Sequence, residues 1–193
     1  MTSERLKAFS DGVLAIIITI MVLELKAPKA EDFAALWPLW PTFLAYILSF
    51  LYIAIYWNNH HHLFVLVEKV NGATLWANVH LLFWLSLLPF VTAWASDSAF
   101  ARDPVALYGM VLLGSAIAYS ILVITLLRAQ KGRTLLHAAI GHDLKGWFSI
   151  AFYVAGIAGA CVHPAIGCLF YVGVALMWLI PDRRIESRLN EAK

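Results

Sequence analysis

Apolar residues run along this chain in long blocks separated by short polar breaks, with few alternating patterns that would mark strands. The blocks fall at Phe9 to Leu25, Leu36 to Trp57, Thr74 to Ala95, Val105 to Leu127, Trp147 to Val162 and Ala165 to Ile180. Each approaches the roughly 20 residues that one helix needs to cross a bilayer. Backbone polar groups in lipid must be satisfied within their own segment, so all six are predicted to be helices. The breaks are Lys26 to Lys29, Asn58 to Ala73, the stretch holding Asp97, Arg102, Asp103 and Pro104, Arg128 to Lys145, and a bare His163-Pro164 turn. The pattern predicts an all-α membrane protein of six spans, with residues 1–181 as the transmembrane unit and 182–193 as a short charged tail.

Composition agrees. Of 193 residues 62% are hydrophobic and 13% charged, and the mean hydropathy is +0.77, whereas soluble domains carry about 25% charged residues. Two cysteines, Cys161 and Cys168, are too few for a disulfide framework and lack zinc spacing. A net charge of +2 gives no footprint for nucleic acid. The segment from Met1 to Lys7 has no small-residue cleavage site after it, so the first block is read as a retained span. Of the 14 Lys and Arg, Lys26, Lys29 and Arg102 fall on one side of the six-span topology and the other eleven on the side of both termini. The positive-inside rule then places both termini in the cytoplasm. Trp37, Trp40, Trp57, Trp94 and Trp147 stand near span ends, as an aromatic belt requires.

The first block is the most informative. Its uncharged core, Gly12 to Leu23, lies between Asp11 and Glu24 and covers about 18 Å, against about 30 Å of hydrocarbon. One of these carboxylates is therefore expected at membrane depth, with a protein partner or water, unless the bilayer thins around Glu24. On a helical wheel Gly12, Ile16, Thr19, Ile20, Leu23 and Ala27 share one face, while Ser10 and Asp11 point to the far side. A smooth stripe of this kind also suits lipid contact or packing, and Thr19 in its middle is mildly against lipid.

The second block carries Ser49, Tyr52, Tyr56, Asn59 and His60 in register, and the third opens with Asn71, Thr74 and Asn78. These polar residues read first as hydrogen-bond glue between helices. His60, His61 and His62 invite a metal reading, but consecutive helical residues diverge by about 100°, and helical ligands need i, i+4 spacing. His137 and His142 fall in a basic loop and read as solvated. Proton coupling through the histidines stays open. No GxSxG, HExxH or P-loop is present, and nothing else points to catalysis.

Arg5, followed after three residues by Phe9-Ser10-Asp11 and then Ile16, Thr19, Leu23 and Pro28, resembles the signature of the transmembrane protein 175 family of potassium channels. Tyr56-Trp57, His60 and Leu63-Phe64 are similar to its Trp-x-x-His-x-x-Leu-Phe segment, and Asn78 and Leu88-Pro89-Phe90-x-Thr92 also look alike. His62 is a departure at a position expected to vary. The resemblance implies a six-helix protomer of the prokaryotic kind, a homotetramer in the plasma membrane, and a central pore lined by the first helix. It places Ile16 at the main hydrophobic constriction, with Thr19, Ile20 and Leu23 on the following turns. Arg5, Ser10, Asp11, His60 and Asn78 fall in the network that ties the first three helices together. The transported ion is K+, with no cofactor, and the reading is of a channel and not an enzyme. No TVGYG filter is present, so selectivity would arise from partial dehydration at an apolar ring. A proton-coupled secondary transporter is the first alternative, although neither repeats nor broken helices show. A membrane-integral enzyme using the histidines and Asp11 is the second.

Overall fold

The structure is a computed structural model, and it describes residues 3–65, 67, 70–130 and 144–179. Among the described residues the regular elements are seven α-helices and one 3-10 helix. Helix α1 spans Ser3–Leu23, and a 3-10 helix over Phe33–Leu39 leads into α2, Trp40–Val65. Then come α3 (Gly72–Ser86), α4 (Leu88–Asp97), α5 (Arg102–Ala129), α6 (Leu144–Val162) and α7 (Pro164–Leu179). Among the described residues five stretches are long and apolar enough to cross a membrane, α3 and α4 counting as one, and α7 is a shorter apolar helix. His137, His142 and the 182–193 tail lie outside the described residues.

Three boundaries differ from the hydropathy reading. The third block is two helices meeting at Leu87, because Pro89 lacks an N–H and its ring crowds the carbonyl four residues back. There the ladder tightens, with the Leu87 N–H on the Trp84 carbonyl at 3.2 Å. The second helix continues through Asn58 and the histidines to Val65. The polar run does not break the helix: His60 is buried together with Leu63 and Phe64, while Asn58 and His61 are exposed. Finally, α1 begins at Ser3 and ends at Leu23, so Ala27 stands beyond the helix and does not extend its stripe.

Helix α5 is the hub, packed on α3, α4, α6 and α7, and its Leu112, Leu122 and Leu126 are fully buried. Contact between apolar helices in lipid rests on close packing rather than on expulsion of water. Gly114 of α5 lets the Trp84 ring of α3 lie against its backbone, and a Cβ there would overlap that ring. The main contacts of helix α1 are with α2, α3 and α4, and Ile16, Thr19, Ile20 and Leu23 stand open on its remaining side.

Candidate pore-lining face and its polar latch

Residues of α1 divide by helical period. Ser3, Leu6, Ser10, Leu14, Ile17 and Met21 are buried against the bundle, at the i, i+3/i+4 spacing that defines one helix face. Gly12, Ile16, Thr19, Ile20 and Leu23 are all exposed on the other side. The contrast is sharpest between neighbours: Ile16 is 59% exposed and Ile17 is 3% exposed. From Ile16 to Leu23 the open stripe runs about 10 Å along the helix axis. The Thr19 hydroxyl donates to the Ile16 carbonyl at 2.8 Å. With its hydrogen turned back onto the helix, the oxygen presents only lone pairs to the open side, which suits a cation.

Behind this face stands a chain of hydrogen bonds whose directions are all determined. The Ser10 hydroxyl donates to the Leu6 carbonyl at 2.9 Å and accepts from Asn78 Nδ2 at 2.9 Å. Asn78 Oδ1 must then accept, so His60 supplies an Nε2–H at 2.7 Å. Ser10, Asn78 and His60 are each 2% exposed or less. One side chain from each of α1, α2 and α3 is thus tied into one closed network. His60 also lies over the Phe64 ring, with centroids 4.5 Å apart.

Two other residues assigned to this network lie off the Ser10–Asn78–His60 chain, although Asp11 ties α1 to α2 by a bond of its own. Asp11 is exposed, and its partner is Trp57, whose indole N–H donates to Oδ1 at 3.0 Å. Arg5 is exposed and makes no hydrogen bond or ion pair with another described residue. Ser10 and Asp11 do not share a side: Ser10 faces the bundle, whereas Asp11, about 100° around the helix, sits at the rim beside α2. Asn71 caps α3, accepting from the Thr74 N–H at 2.9 Å. His61 and His62 point away from His60 into different surroundings. Among the described residues no group of three or more His, Cys, Asp or Glu side chains could hold a metal ion.

A second buried polar layer was only half visible in the sequence. Tyr108 of α5 donates to Ser49 of α2 at 2.9 Å, Ser49 to Thr92 of α4 at 2.7 Å, and Thr92 to the Leu88 carbonyl at 2.6 Å. Nearby, Tyr52 donates to the Tyr171 carbonyl of α7 at 2.6 Å. Ser49 and Tyr52 were readable from their stripe. Tyr108 was not, since a tyrosine in an apolar block gives no sign of its partner. At the far end of α1, Glu24 lines a cavity of about 110 Å³ together with Lys26, Thr42, Ser96 and Asp97.

An all-helical chain with several helices long and apolar enough to cross a membrane is an integral membrane protein. The model of one family, described as endosomal/lysosomal potassium channel TMEM175, matches residues 5–89, which contain the whole latch and stripe. A protein of Chryseobacterium sp. (strain P1-3) named as a potassium channel is 59% identical over 99% of this chain and 100% of its own length. The chain therefore belongs to the TMEM175 family. A human relative named as an endosomal/lysosomal proton channel is 31% identical over 92% of this chain, which spans 37% of that protein. A crystal structure of a lysosomal potassium-selective channel TMEM175 homologue from Chamaesiphon minutus superposes with a TM-score of 0.77. It is 28% identical and covers 92% of this chain and 96% of that one.

Proposed function

We propose that the protein is a potassium channel in which four copies of α1 surround a central pore. The observation that carries the reading is the open α1 stripe, an uncharged face that one protomer leaves unpartnered while Leu6, Ser10, Leu14, Ile17 and Met21 on the opposite face are buried. Cyclic repetition of one protomer would close such a face onto itself. Four Ile16 side chains would form the narrowest ring, backed by Ile20 and Leu23. A cation crossing an apolar ring must shed part of its hydration shell, and potassium holds its water less tightly than sodium. Thr19 oxygens one turn away would replace some of the lost water, while the ring could close by dewetting alone. Selectivity of this origin is modest.

The surrounding latch would hold α1 at a fixed rotation, so that the stripe and not the Ser10 face meets the axis. The reading includes cytoplasmic termini, a prokaryotic plasma membrane and residues 1–181 as the conducting unit. The name borne by the human relative supports a second reading, proton conduction. Purified protein in a planar bilayer separates them. Discrete steps whose reversal follows the potassium gradient, with sodium less permeant, are expected. Reversal that follows the pH gradient alone would replace potassium by protons, and flux without steps would indicate a transporter.

A further inference from the structure

His80 of α3 was passed over in the sequence, and it is exposed on the protomer surface inside a membrane-crossing stretch. Its ring is oriented by Trp84, whose indole N–H donates to His80 Nε2 at 3.0 Å. An indole nitrogen only donates, so Nε2 is the acceptor and the neutral ring carries its hydrogen on Nδ1. Trp84 is itself held by the close approach of its ring to Gly114 of α5. His80 thus presents a fixed Nδ1–H donor outward, with no acceptor among the described residues. An unpaired donor facing hydrocarbon is costly.

The matching acceptor sits at the same level on the opposite flank. Ser10 and Asn78 are hydrogen-bonded, which aligns α1 with α3, and Glu24 and Asp97 line one cavity at the other end, so α1 runs parallel to α3 and α4. One residue beyond Ser10 is Asp11, and two beyond Asn78 is His80, rises of about 1.5 and 3 Å. Asp11 leans toward α2 and uses one oxygen for Trp57, leaving the other without a donor among the described residues. His80 stands on the side of α3 that also carries Trp84 toward α5.

In a cyclic assembly, one flank of each copy meets the opposite flank of the next. We infer that His80 of each protomer donates through Nδ1–H to the Asp11 carboxylate of the neighbouring copy, a ring of hydrogen bonds that closes the tetramer at the level of the latch. This inference rests on the tetrameric reading above.

The test uses full-length protein with Cys161 and Cys168 replaced by Ala, carrying His80→Cys and Asp11→Cys together, treated with a short bismaleimide, with particle mass measured in parallel. Covalent dimers, trimers and tetramers on a denaturing gel are expected from the pair, and monomers from either single variant. A particle of tetramer mass without the ladder overturns the contact and leaves the tetramer standing, whereas a particle of monomer mass overturns the tetramer itself. Should the cysteine pair fail to fold, Asp11→Asn and His80→Phe are compared singly and together by the SDS fraction that dissociates half the tetramers. The pair should dissociate no earlier than the weaker single variant, and additive losses overturn the contact.

Discussion

The two faces of α1 are equally greasy and do different things. Leu14, Ile17 and Met21 on one side and Ile16, Ile20 and Leu23 on the other cannot be told apart by hydrophobicity. One set is buried among α2, α3 and α4 and the other is open. What separates them is the rotation of the helix, and in the proposed account that rotation is set by one small polar residue. Ser10 belongs to the buried face, where its hydroxyl, already donating to the Leu6 carbonyl, accepts from Asn78 Nδ2. In a medium where apolar side chains have no preference for protein over lipid, a hydrogen-bonded latch can choose the face that packing alone leaves undecided.

The largest effect is expected from removing the centre of that latch. Asn78→Leu strands the His60 N–H and one lone pair of Ser10 at fully buried positions. A buried group left unsatisfied costs about 1–3 kcal/mol, so the loss should reach several °C of melting temperature in detergent. A melting temperature equal to wild type would show that the latch does not set the rotation. Next comes packing on the buried face. Ile17→Ala removes a side chain that is 3% exposed and should cost about 2 kcal/mol, near the low end for such truncations because lipid offsets the transfer term. Gly114→Ala should cost about 1–3 kcal/mol, since the added Cβ meets the Trp84 ring and one of the two helices must shift. The same melting measurement checks both. Smallest of all is Arg5→Ala, which touches no described partner and should move stability by no more than about 0.5 kcal/mol. A drop like that of Asn78→Leu would bring Arg5 back into the network through a neighbouring copy.

The helical split of α1 was legible because a period of 3.6 is a property of the sequence itself. So was the joining of Ser10, His60 and Asn78, three short-range polar side chains at matching ends of successive apolar blocks. Other features were hidden for physical reasons. Ser86 and Pro89 interrupt the third block too briefly to divide it by hydropathy, so the break at Leu87 was read as part of a single span although Pro89 marks it. Asn58 to His62 looked like a loop because five consecutive polar residues lower the local hydropathy, and nothing in the sequence shows that His60 is buried and bonded to Asn78. Asp11 and Arg5 resemble a pair by charge, yet Asp11 meets an indole N–H instead. His80 drew no attention because its meaning depends on Trp84, and that bond becomes informative only with the ring geometry in view.

The two faces are compared most directly at adjacent residues. Reversal potentials measured in mixed potassium and sodium gradients for Ile16→Ala and Ile17→Ala test whether the open stripe of α1 carries the ions. Shortening Ile16 should widen and wet the ring, raising conductance and shifting reversal toward equal permeability, while channels with Ile17→Ala that still assemble should keep the wild-type reversal. Equal shifts at both positions, or none at Ile16, would contradict the account and take the conducting path away from this face.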